Sequence, residues 1–91
     1  MKEVAAFTNL THLYLDGTQI TDAGLKELAG LQSLRFLSLC ETKVTDTGLK
    51  EIAALKRLQE LHLEHTKVTD AGVAELRKTL PKCFVQGKGK Q

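Results

Sequence analysis

Hydrophobic residues fall along this chain at Leu10, Leu13 and Leu15, then at Ile20, Leu25, Leu28 and Leu31, and the series returns every 24 residues. Leu34, Leu37 and Leu39 open the second round and Leu58, Leu61 and Leu63 the third, with no slip of register. Polar positions travel with them: Thr18, Thr42 and Thr66; Asp22, Asp46 and Asp70; Gly24, Gly48 and Gly72. A fixed step of this length is the mark of stacked structural repeats. Within each unit the spacing changes from every second residue, as at Leu37 and Leu39, to helical spacing, as at Leu49, Ile52 and Leu55. That change predicts a strand, a turn and a helix in that order. Neither a lone strand nor a short lone helix buries its apolar side, so neighbouring units must share one continuous core.

Counted by that step, the units are repeats 10–33, 34–57 and 58–82, preceded by a partial repeat 1–9 and followed by a terminal strand 83–86 and a tail 87–91. Met1, Val4 and Phe7 match Leu25, Leu28 and Leu31, so the chain is expected to begin inside the helix of a unit whose strand is missing. Leu76 to Leu80 is one residue longer than Leu28 to Leu31. Pro81 then stops the helix, and a short strand is expected with Cys83 and Val85 inward and Phe84 outward. The closing GKGKQ reads as a flexible polar tail and lacks the spacing of a phosphate loop.

Local chemistry refines the repeat. Thr21 or Asp22 is placed to cap the exposed amides at the start of its helix. A glycine in a first helical turn costs roughly 1 kcal/mol relative to alanine. Its threefold return therefore implies a backbone approach too close for a side chain. Thr18, Thr42 and Thr66 stand where the chain leaves the strand, and are expected to turn a hydroxyl inward toward the amides of the turn.

The segment LRFLSLCETKVTDTGLKEIAALKR, with the half-repeats ITDAGLKEL, VTDTGLKEI and VTDAGVAEL, resembles the leucine-rich-repeat family over residues 1–86. Among its branches it is similar to the ribonuclease-inhibitor-like one and to short bacterial repeat proteins of that kind. The resemblance implies an α/β fold, a right-handed solenoid with a parallel sheet on its concave side and helices on its convex side. It also implies a binding scaffold, not an enzyme. Threonine stands where the family usually carries asparagine or cysteine after the strand, and cysteine-rich caps are absent from the sequence.

If the strand leucines point inward, the residues between them face outward across the sheet. The outward columns are His12, Phe36 and Glu60; Tyr14, Ser38 and His62; Asp16, Cys40 and Glu64; and Gly17, Glu41 and His65. The framework repeats almost unchanged while these columns change size and charge at every step. Tyr14 and Phe36 have the character of interface anchors. Asp16, Glu41, Glu60 and Glu64 make the face acidic, with Arg35 the main opposing charge. The expected ligand is a protein of basic or mixed surface, contacted by His12, Tyr14, Asp16, Phe36, Ser38, Cys40, Glu41, Glu60, His62, Glu64 and His65.

Composition narrows the alternatives. At 91 residues the chain holds one domain, and thirteen basic against eleven acidic residues, net +2, argue against a dedicated nucleic-acid arm. Cys40 and Cys83 have neither disulfide-framework nor zinc-knuckle spacing, which suggests a reducing, cytoplasmic setting. No apolar run is long enough for a signal peptide or membrane span, so no membrane partner is expected. Binding of nucleic acid or an anionic surface through Lys56, Arg57, Arg77, Lys78, Lys82, Lys88 and Lys90 is the different-class alternative, weakened by the absence of interleaved aromatics. A metal site at His62 between Glu60 and Glu64, and a Cys40 to His62 nucleophile, are less favoured because an open sheet closes around neither ion nor substrate. No cofactor is expected. The terminal repeats are expected to leave strand edges through which copies of the chain associate.

Overall fold

The computed structural model describes residues 9–87, and within them strands and helices alternate. The order is β1 (His12–Tyr14), α1 (Asp22–Leu28), β2 (Phe36–Ser38), α2 (Asp46–Ile52), β3 (Glu60–His62), α3 (Asp70–Thr79) and β4 (Phe84–Gln86). The helix expected over residues 1–7 and the tail from residue 88 lie outside the described residues. All four strands form one parallel sheet in the order β1-β2-β3-β4. Parallel neighbours need a crossover, and each helix supplies one.

The ladder reproduces the sequence step: Leu13 lies opposite Leu37, Leu37 opposite Leu61 and Leu61 opposite Val85. The extra residue of α3 does not disturb this register. Leu58 and Leu61 are three positions apart whereas Cys83 and Val85 are two apart, so the insertion is absorbed before β4 begins. Cys83 and Val85 are buried and Phe84 is 56% exposed, which is the orientation expected of that strand.

Between sheet and helices lies one apolar core running through Leu25, Leu28, Leu37, Leu49, Ile52, Leu61, Val73 and Leu76. Its burial is uneven along the stack. Leu34, Leu37 and Leu39 of the central repeat are fully buried, while Leu10, Leu13 and Leu15 of the first are only partly so. A residue flanked by a repeat on each side buries more apolar surface than its counterpart near an end.

The helix starts are tied together across repeats. Thr21, Thr45 and Thr69 are the N-cap residues. Thr45 Oγ1 accepts from the Thr47 amide at 3.3 Å and Thr69 Oγ1 from the Gly72 amide at 3.1 Å, while Thr21 makes no such bond. The aspartates that follow the first two caps serve the next repeat instead of their own. Asp22 accepts the Thr45 amide at 2.8 Å and the Thr45 hydroxyl, and Asp46 does the same for Thr69. Each carboxylate sits where the next repeat's glycine lacks a side chain. A Cβ on Gly48 would collide with Asp22 Oδ1 and lie 2.8 Å from Leu25 Cδ1, and one on Gly72 would collide with the Asp46 carboxylate. The close approach inferred from the recurring glycines is thus a cross-repeat capping ladder.

The threonines after the strands behave differently from expectation. Thr18, Thr42 and Thr66 donate to the carbonyls of Leu15, Leu39 and Leu63 at 2.8, 2.7 and 2.8 Å, so their hydroxyls satisfy the strand end and not mainly the turn amides. The chain bends back there, bringing the carbonyl three residues earlier within reach of the hydroxyl. Thr42 and Thr66 are buried in doing so, whereas Thr18 is exposed and also receives the Ile20 amide at 3.5 Å.

Candidate functional site

The strands place the outward columns side by side with their neighbours about 4.8 Å apart, and the sequence-predicted face assembles around Phe36. Its ring stacks on His12 at 5.7 Å and meets Tyr14 at 4.9 Å and His62 at 5.1 Å. Three neighbouring strands thus contribute to one aromatic and imidazole cluster on the sheet surface. Tyr14 remains 65% exposed at its rim. His62 is held from the other side, with Nε2 at 2.7 Å from Glu60 Oε2. A fixed ring and a fixed imidazole present apolar area that costs little entropy to cover.

One member of the predicted face is not a surface residue. Ser38 is buried at 5% exposure, its hydroxyl donating to Asp16 Oδ1. The same oxygen accepts the Cys40 amide at 2.9 Å, so Asp16, in the turn after β1, is fixed to the end of β2 and the turn that follows it instead of standing free toward solvent. Ser38 therefore positions Asp16 and offers a ligand no area of its own. Cys40 Sγ lies 3.8 Å from Glu64 Oε1 and 3.9 Å from Ser38 Oγ, so its polar neighbours are a carboxylate and a hydroxyl while His62 is engaged by Glu60.

Glu41 and His65 occupy a turn position with φ of 59° and 61°, matched in the first repeat by Gly17 at 70°. Only glycine adopts that left-handed conformation without penalty, and a side chain there costs on the order of 1 kcal/mol. Both side chains are exposed at the end of the strand face.

The fourth strand adds residues that the sequence reading did not place on the face. Phe84 follows Phe36 and Glu60 in one column, and Gln86 follows Ser38 and His62 in the next. The signal was present, since Phe84 stands 24 residues after Glu60. Behind it, burial and then the nearby Glu60 carboxylate push the Cys83 thiol from 9.0 up to about 11. That thiol is a core group and no nucleophile at neutral pH.

The opposite side is plainer. A groove of about 370 Å³ runs between α2 and α3, walled by Leu49, Ala53, Ala71 and Leu76 with Lys50 and Glu75 at its rim. Of the basic alternative, Lys56, Arg57, Arg77, Lys78 and Lys82 are exposed, and Lys78 pairs with Glu75 at 3.5 Å, whereas Lys88 and Lys90 lie outside the described residues. Among the described residues no group of three or more histidine, cysteine or acidic side chains is gathered for a metal, and no helix is long and apolar enough to cross a membrane.

Comparison with known proteins agrees with this geometry. A family model described as leucine rich repeat matches residues 8–68. Among solved structures, a leucine-rich-repeat protein of Leptospira interrogans aligns with a TM-score of 0.65 at 27% identity, over 94% of this chain and 27% of that one. The chain thus spans about a quarter of that protein's length. Among curated protein sequences none matches this one.

Proposed function

Because the chain belongs to the leucine-rich-repeat family, we propose that it is a non-catalytic protein-interaction module whose concave strand face carries the contact surface. The observation that supports this is the cluster of His12, Tyr14, Phe36 and His62, set on a surface where the repeat does not repeat itself. Interface anchors are typically aromatic, central and surrounded by polar groups, and Phe36 has that setting. We place the chain in the ribonuclease-inhibitor-like branch because each repeat returns through a helix. The two free cysteines accord with a reducing compartment such as the cytoplasm.

Replacing Tyr14 and Phe36 together by alanine is expected to weaken partner capture by more than about 1 kcal/mol, while the thermal melt shifts little. The control is Lys26→Ala with Lys50→Ala on the helical side, which leaves capture intact. A larger loss from the lysine pair than from the aromatic pair assigns the contact to the wrong face.

Self-association is a separate proposal. Among the described residues β1 and β4 are the outer strands of the sheet, and outer strands are sites of edge pairing. One carbonyl of β4 is already covered, since Arg77 Nη2 lies 3.5 Å from Val85 O, so pairing is expected through β1. Sedimentation across a wide concentration range tests it, and a monomer persisting to millimolar chain sinks it.

A further inference from the structure

The concave columns hold four carboxylates, Asp16, Glu41, Glu60 and Glu64, and neither lysine nor arginine. Among the described residues none of the four is paired with a lysine or arginine. The chain carries net +2, yet these columns hold no cation, Arg35 lying just ahead of Phe36 at the start of β2. The four carboxylates are not equivalent. Asp16 is occupied by Ser38 and the Cys40 amide, and Glu64 has the Cys40 thiol beside it. Glu41 stands at the turn, away from the ring cluster. Glu60 engages His62 through Oε2, and its side chain is still 43% exposed.

In the ladder Glu60 stands between Phe36 and Phe84. Phe36 is surrounded by His12, Tyr14 and His62, but Phe84 is 56% exposed and meets no other ring among the described residues. A partly exposed carboxylate one strand from a bare aromatic ring is complementary to a planar cation. A guanidinium lies flat on such a ring while its edge donates to the carboxylate. A lysine ammonium is a compact charge and satisfies the two demands less well together, and an acidic or phosphorylated ligand would meet Glu60 unfavourably.

Resting on the reading of the concave face as the contact surface, we propose that Glu60 and Phe84 form a subsite for an arginine side chain of the protein partner. Blocked tripeptides Gly-Arg-Gly, Gly-Lys-Gly and Gly-citrulline-Gly serve as probes in nuclear magnetic resonance titrations of the full chain. Citrulline keeps the shape of arginine without its charge. The arginine peptide is expected to shift the Glu60 and Phe84 resonances saturably, with the citrulline peptide roughly 3- to 10-fold weaker and the lysine peptide between them. Glu60→Gln should abolish the difference between arginine and citrulline, and Phe84→Ala should weaken the arginine peptide. Both positions are partly or largely exposed, so unchanged melts confirm that the variants are folded.

Equal affinity of wild type for the arginine and citrulline peptides overturns the proposal, as do shifts that map to the helical side or no binding of the arginine peptide. Failure here is separable from failure of the broader reading. If capture is lost with Tyr14→Ala and Phe36→Ala while the peptides show no charge preference, the face stands and the subsite falls. If the arginine preference depends on Glu60 while capture ignores Tyr14 and Phe36, the subsite is upheld and the wider contact surface is misplaced.

Discussion

Leu37→Ala is expected to lower the free energy of unfolding by about 2–5 kcal/mol. Leu37 is fully buried at the middle of the ladder, with Leu13 opposite on one side and Leu61 on the other. Truncation removes apolar contacts with both flanking repeats and leaves a space that neither strand fills, because each is fixed in register by its own hydrogen bonds. In a stacked architecture, stability is a sum of repeat and interface contributions, and this residue belongs to two interfaces at once. Leu13→Ala should cost less, since Leu13 is only partly buried and packs on one described strand. Urea denaturation of the three proteins checks this. Equal losses from Leu13→Ala and Leu37→Ala would mean that the stack does not share its core in the way the ladder implies.

The framework was legible in the sequence because each inward leucine answers to the same physical demand in every repeat. A step of 24 that keeps Leu13, Leu37 and Leu61 in line is the ladder itself. The glycine positions were legible for a related reason, since a residue that costs helix stability three times over must be relieving a contact. What occupied the space was not legible. The sequence shows Asp22 and Asp46 only as residues of their own helices, and their reach into the next repeat depends on the lateral offset between helices. Ser38 departs from the pattern for the same cause: alternation puts it on the outer face, but Asp16 from the turn after the adjacent strand lies over its hydroxyl. Phe84 was foreseen as outward-facing. The extra residue in α3 blurs the 24-residue step there, and only the shortened spacing from Cys83 to Val85 brings Phe84 into line with Glu60 on the face.

Gly72→Ala should destabilise the chain by about 1–3 kcal/mol, and the sign of that effect should reverse when Asp46 is also replaced by alanine. Gly72 lies in the first turn of α3, where alanine is ordinarily better than glycine by about 1 kcal/mol. The three heavy atoms nearest to a Cβ there all belong to the Asp46 carboxylate, one of them at 2.9 Å and two closer still. Making room for the methyl group means moving a carboxylate that accepts both the amide and the hydroxyl of Thr69. Bonds to a charged acceptor are worth about 1.5–3 kcal/mol where they are shielded, and less here because Thr69 and Asp46 are partly exposed. That loss exceeds the gain in helix propensity. Asp46→Ala alone forfeits the cap but vacates the space, so in that background Gly72→Ala meets no obstacle and should stabilise by up to about 1 kcal/mol. Contacting residues that act as one unit give coupling energies of about 0.5–3 kcal/mol in a double-mutant cycle. Denaturation midpoints of the wild type, the two single variants and the double variant close the cycle. If Gly72→Ala costs the same with and without the Asp46 carboxylate, the glycine is not there to make room for it, and the capping ladder does not explain why the repeat carries both residues.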